Sequence, residues 1–153
     1  MQIEHRILIA ASPERIFRIY EDVDHWHTWD PDTKSASLTS KLGVGARGSL
    51  TPTEGKTVPM LITAAKPGRS FTVESKLPLF RMLFEHELIP RGNDTEVIHR
   101  VTMAGLLSTV FGPMLTRQLN AGLPVTLANL RRLAEAQAGS TVLPPRHDDE
   151  FRV

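Results

Sequence analysis

The stretch Phe84–Met103, FEHELIPRGNDTEVIHRVTM, decides how the rest of the chain is read. Two alternating runs flank Arg91-Gly92-Asn93-Asp94, a cluster that turns a chain sharply. With the turn there, Pro90 faces Thr95, and following the register outward sets His86 opposite His99. On that face stand Met82, Phe84 and Leu88 from one run, and Val97, Val101 and Met103 from the other. Glu85, Glu87, Glu96 and Arg100 occupy the opposite face, so the face with the histidines is the interior one. Directly opposed residues hold their Cβ atoms roughly 4.5–5.5 Å apart. The expectation is an antiparallel hairpin with two imidazoles in its apolar face.

The same rhythm extends upstream. Turn signals at Gly43/Gly45, Gly55, Pro67-Gly68 and Pro78 divide the chain into strands near 34–40, 46–52, 58–65, 69–77, 80–89 and 95–104. Such short connections argue for an antiparallel meander rather than β-α-β units. Gln2–Ala10 also alternates, with Ile3, His5, Ile7 and Ile9 on one side and Glu4 and Arg6 on the other. Ser12-Pro13-Glu14 then opens a short helix, with Ser12 as N-cap and Pro13 at its first position. DHWHTWDPD follows as a turn-rich, solvated connector that folds Trp26 or Trp29 onto the sheet edge.

After Gly105 the period changes to that of a helix. Leu115, Leu119, Leu123, Leu127 and Leu130 trace a stripe from about Gly112 to Ala138, with a kink expected at Pro124. Residues 139–153 carry no period, two prolines and a charge cluster, and read as a disordered tail. The fold class is therefore α+β: one domain over residues 1–138, built as a curved seven-stranded antiparallel sheet wrapped around a long C-terminal helix. A short helical segment follows the first strand. A sheet so curved does not touch the helix everywhere, which predicts a cavity between them.

Bulk composition narrows the function. The 153 residues suffice for one core, and 41% hydrophobic with 23% charged residues is near the globular average. A net charge of +1 with no basic run argues against nucleic acid as a partner. The absence of cysteine excludes disulfides, thiolate catalysis and cysteine-ligated zinc. No apolar run approaches the roughly 20 residues of a membrane helix, and the start lacks an apolar signal core. A cytoplasmic protein with no membrane insertion is expected.

Three readings fit the histidines. They are core imidazoles bonded to one another or to water, polar groups lining an apolar ligand cavity, or, with His5, a three-histidine metal site. The last has the ligand number of a catalytic zinc but lacks a close-spaced motif and an inward carboxylate. No metal and no cofactor is expected. GVGARG at Gly43–Gly48 matches a dinucleotide fingerprint in letters only, because a strand rather than a helix follows it. His25-x-His27 with neighbouring aspartates reads as part of the solvated connector. No nucleophile elbow, phosphate loop or zinc-protease motif is present.

ASPERIFRIYEDVDHWHTWDPD, GVGARGSL, PGRSFTVESK and HELIPRGNDTEV, followed by the late amphipathic helix, resemble the START/Bet v 1-like (SRPBCC) superfamily. The likeness is strongest to its polyketide cyclase/dehydrase and lipid-transport-like branch and covers about residues 1–137. It implies a helix-grip fold with an apolar cavity. The expected function is binding of a small, mostly hydrophobic ligand (a lipid, polyketide or aromatic metabolite) by a monomer or homodimer. The ligand contacts expected are His5, His86 and His99, with Met82, Phe84 and Val101 beside them. Leu119 and Leu123 would contribute from the helix and Trp29 from the connector. The alternative is a cyclase or dehydratase in which His86 and His99 serve as acid and base.

Overall fold

The computed structural model describes residues 1–142, with side chains through residue 138, so residues 143–153 of the expected tail lie outside the described residues. Strand β1 (Gln2–Ile9) leads into α1 (Pro13–Glu21) and a 3-10 helix (Val23–Thr28). Strands β2 (Thr33–Leu38), β3 (Arg47–Pro52), β4 (Val58–Lys66), β5 (Ser70–Leu77), β6 (Phe80–Arg91) and β7 (Asp94–Ala104) follow. The chain then enters α2 (Ser108–Val142). The sheet order is β1-β7-β6-β5-β4-β3-β2, antiparallel throughout, and the sheet curls as a half-barrel about α2 in a helix-grip fold.

Local chemistry explains the joints. The Ser12 hydroxyl accepts from the Arg15 N–H at 3.2 Å, and Pro13 occupies the first turn of α1. Gly92 takes a φ of 65° in the two-residue β6–β7 turn, a conformation that costs glycine little. That turn sets the register Pro90↔Thr95 and His86↔His99. Register shifts between Thr33 and Ser35 and between Ile62 and Ala64 mark irregularities that bend the sheet. Gly48 is needed for a close approach, because a Cβ there would overlap the Ser37 carbonyl oxygen. GVGARG thus forms a turn that runs into the start of β3, with no helix after it.

The connector differs from its expectation. Residues 23–28 wind into the 3-10 helix, and both Trp26 and Trp29 are buried rather than one of them resting on an edge. The Trp26 indole N–H donates to the Tyr20 carbonyl at 2.8 Å, which satisfies its polar end inside the core. The long helix also exceeds its expected bounds at both ends. Pro113 and Pro124 lie within it and neither ends it, although each removes one N–H from the ladder.

Helix α2 lies chiefly over β1 and β7. Its second half packs Leu127, Leu130 and Ala134 onto Ile9, Ile16 and Phe17 in the main core. Its first half covers a smaller cluster built on Ile3, Phe80 and Met103. A fully buried side chain of this size is worth roughly 1.5–3 kcal/mol, so these two clusters hold the helix in place. Over the inner faces of β3 to β6 the helix stands off the sheet, and α1 reaches Phe71 and His86 there through Phe17 and Tyr20. The outer face carries ion pairs such as Arg100–Glu4 at 2.8 Å and Arg91–Glu96 at 2.7 Å, which keep it wet. Among the described residues no helix is long and apolar enough to cross a membrane.

Candidate functional site

The uncovered part of the sheet faces a cavity of about 220 Å³. Its floor is Leu50, Met60, Val73, Met82 and Phe84, and its roof is Leu119 and Leu123 of α2. Trp26 and Trp29 close one side. The polar groups on its walls include His86, His99, Ser75, Asp30 and Thr126. A larger concavity of about 400 Å³ lies beside Arg18, Asp22, His25 and Gln137, but it is open and rimmed by exposed polar side chains. The mostly apolar hollow between sheet and helix is the candidate site.

Strand pairing brings His5, His99 and His86 into one row across three strands. Buried Tyr20 reaches this row from α1, its hydroxyl 2.8 Å from His99 Nε2. Burial pushes the Tyr20 pKa far up, so the phenol keeps its proton, and its hydroxyl shares a hydrogen bond with Nε2. His99 is the neutral partner in that bond. Burial holds its proton affinity well below the usual value, and the neighbouring His86 lowers it further.

The His86 ring stacks on Phe71 with centroids 4.0 Å apart and planes within 2°. Its Nδ1 lies 3.3 Å from the Phe71 carbonyl, to which it donates, so Nε2 is the acceptor. Burial brings its pKa down to about 4, against a smaller opposing effect of the Phe71 and Phe84 backbone. By surface area the residue is only half-buried. The area it shows opens onto the cavity, while Phe71, Tyr20 and His99 pack around the ring and disfavour its charged form. Ring centroids of His86 and His99 are 4.7 Å apart. Together these residues place two neutral imidazoles on the cavity wall.

A second polar group stands at the junction of the connector and α2. Asp30 accepts from the Thr33 hydroxyl at 2.8 Å, the Thr126 hydroxyl at 3.2 Å and the Asp32 N–H at 3.1 Å. Burial raises its pKa in spite of these bonds, which act the other way. Asp32 presses its carboxylate against Gly122, where any side chain would collide with it. These contacts seat the connector on the roof helix.

The structure puts Met82, Phe84, His86, His99, Leu119, Leu123 and Trp29 on the cavity wall. It puts His5 and Val101 elsewhere, correcting the expectation that they face the same hollow. His5 shares the inward face but lies under α2, where its Nε2 donates to the Asn120 side-chain oxygen at 2.8 Å. Val101 is buried in the sheet. The three imidazoles therefore address separate protein partners, and no metal-holding group of His, Asp or Glu occurs among the described residues. Two polar positions beside the cavity went unread in the sequence. Tyr20 reads as a core position of α1, and Asp30 reads as part of a solvated loop. A hydroxyl at Thr126 within a stripe of leucines was the one available signal for a polar partner.

The family model described as polyketide cyclase/dehydrase and lipid transport matches residues 1–135. No curated protein matches the chain by sequence. Among solved structures, the Zhui aromatase/cyclase from Streptomyces sp. R1128 superimposes with a TM-score of 0.74 at 16% identity, covering 90% of this chain and 95% of that one. A START superfamily protein from Mycobacterium smegmatis gives a TM-score of 0.70 at 16% identity over 89% and 98% of the two chains. Norcoclaurine synthase from Thalictrum flavum, in complex with dopamine and hydroxybenzaldehyde, gives 0.67 at 15% identity over 87% and 85%. At these identities the likeness is one of fold.

Proposed function

The chain belongs to the polyketide cyclase/dehydrase and lipid transport family, and from that premise we propose that it binds a small, mostly hydrophobic ligand between the sheet and α2. The ligand turns a hydroxyl or carbonyl toward His86 and His99. The observation carrying this reading is that two neutral imidazoles stand side by side on the wall of a mostly apolar hollow. An unpaired polar group facing such a hollow is costly, and a ligand oxygen that bonds to both rings removes that cost.

Volume selects among ligands. An apolar cavity of about 150 Å³ admits benzene, while drug-sized molecules occupy roughly 300–1,000 Å³. A hollow of about 220 Å³ suits one or two rings, and suits a long acyl chain poorly. The cyclase or dehydratase alternative requires one histidine to change charge near neutral pH. A base whose pKa sits at about 4 accepts a proton weakly there, which favours binding over catalysis.

The test compares 2-naphthol with naphthalene by thermal shift and calorimetry. Naphthol should bind at least tenfold more tightly, and Leu123→Trp, which fills the hollow, should abolish both interactions. Equal affinity for the two compounds would remove the histidines from recognition. Unchanged binding to the filled variant would remove the cavity.

A further inference from the structure

We infer that the end of the molecule formed by the β5–β6 turn and the first turns of α2 docks on an anionic lipid surface. Helix α2 is apolar on both sides over these turns. Its inner face is Leu115, Leu119 and Leu123, packed in the smaller core cluster. Its outer face leaves Val110 65% and Met114 50% exposed, with Leu106 at 75% just before the helix. A helix that is apolar all round is normally covered on all sides.

Leu79, 60% exposed, adds to the same surface from the β5–β6 turn. The Leu107 N–H donates to its carbonyl at 2.9 Å, and Phe111 meets Phe80 with ring centroids 6.1 Å apart. The patch is therefore contiguous, unlike the scattered single exposures common on any surface. Leu79 is also the one non-glycine residue with positive φ (59°) among the described residues. A strained backbone that holds a leucine out in water gains nothing for the isolated fold.

Charge identifies the occupant. Lys76 and Arg81 pair across the strands at the foot of that turn, and Arg117 stands exposed on the next turn of α2. Among the described residues one carboxylate, Glu74, reaches this group, at 3.5 Å from Arg81. From residue 97 to 134 the chain has no acidic side chain. The connector carboxylates that touch α2 are those of Asp32 at Gly122 and Asp30 at Thr126, about 15 and 21 Å along the helix from Gly112. A second copy seated on this patch would bring like charges together, whereas an anionic bilayer supplies both the apolar medium and the countercharge. Leu119 and Leu123, behind the patch, also line the cavity, so the docked face backs directly onto it.

The experiment sediments the full chain with vesicles of phosphatidylcholine alone or with phosphatidylglycerol, at low and high salt. Binding should require phosphatidylglycerol, weaken with salt and fall roughly fivefold for each cation removed, as in Arg117→Gln or Arg81→Gln. Val110→Asp with Met114→Asp should lower it at least tenfold. Leu8→Asp, an exposed position at the other end of β1, should leave it unchanged. Thermal midpoints confirm that each variant folds. No sedimentation with anionic vesicles at low salt overturns the inference, as does equal binding by the Asp double variant. A wild-type dimer in solution that this double variant splits would also overturn it, because the patch would then be a self-interface. None of these readouts depends on a ligand in the cavity.

Discussion

Replacing His86 by glutamine should flatten the dependence of stability on pH in the acid range. The unfolded chain binds a proton at this ring with a pKa near 6.5, and the folded protein does so at about 4. Between those values the unfolded state holds more protons, so the contribution is fully present above pH 6.5 and is lost as pH falls toward 4. At about 1.4 kcal/mol per pH unit the loss is about 3 kcal/mol. Glutamine cannot protonate, and its amide can still donate to the Phe71 carbonyl. It forfeits the 4.0 Å stack on Phe71, which should cost about 1–2 kcal/mol at neutral pH. The two stability curves should therefore cross between pH 6.5 and 4. Removing His86 also relieves its charge effect on His99, which flattens the variant further. Urea unfolding at four pH values between 7.5 and 4.5 measures this, and the ion pairs of Glu4 and Glu96 cancel because both proteins retain them. A gap between the two proteins that stays constant over that range would refute the claim that His86 is held neutral by burial.

Tyr20→Phe strands the buried Nε2 of His99 and should cost about 1–3 kcal/mol by urea unfolding; a loss below about 0.5 kcal/mol would contradict the 2.8 Å bond. Asp30 has the opposite sign to the histidines. Its raised folded pKa gives stability at low pH that is lost as pH rises through that value, so Asp30→Asn should gain on the wild type between pH 4 and 8. A gap that moves the other way would show that the ionised carboxylate is the favoured form. Gly48→Ala forces a Cβ into the Ser37 carbonyl and should cost about 1–3 kcal/mol, read as a fall in the urea midpoint without a change in slope.

The histidine row was legible because a two-residue turn leaves one register, and side-chain alternation then assigns the faces. The succession of strands, the capped α1 and the terminal helix were legible for similar local reasons. The path of α2 was not. Its crossing over β1 and β7 decides which inner faces stay uncovered, and that depends on how leucines from one end of the chain meet isoleucines from the other. Hence Leu50, Met60 and Ser75, which line the cavity, looked like ordinary strand positions, while His5 looked like a site residue and is capped by Asn120. Asp30 was hidden for another reason. A stretch of aspartates and histidines reads as wet until the 3-10 helix draws its tryptophans inward and carries the next residue with them.

Trp26 and Trp29 are the only two tryptophans in the chain, and both border the cavity. Their emission therefore arises entirely at the place where a guest would sit, with the Trp29 ring 6.5 Å from that of His99. Nothing elsewhere in the molecule dilutes the signal. The protein carries its own optical gauge: colour and brightness respond to whatever enters, without any label, and an aromatic guest stacked between the indoles should announce itself by energy transfer or quenching.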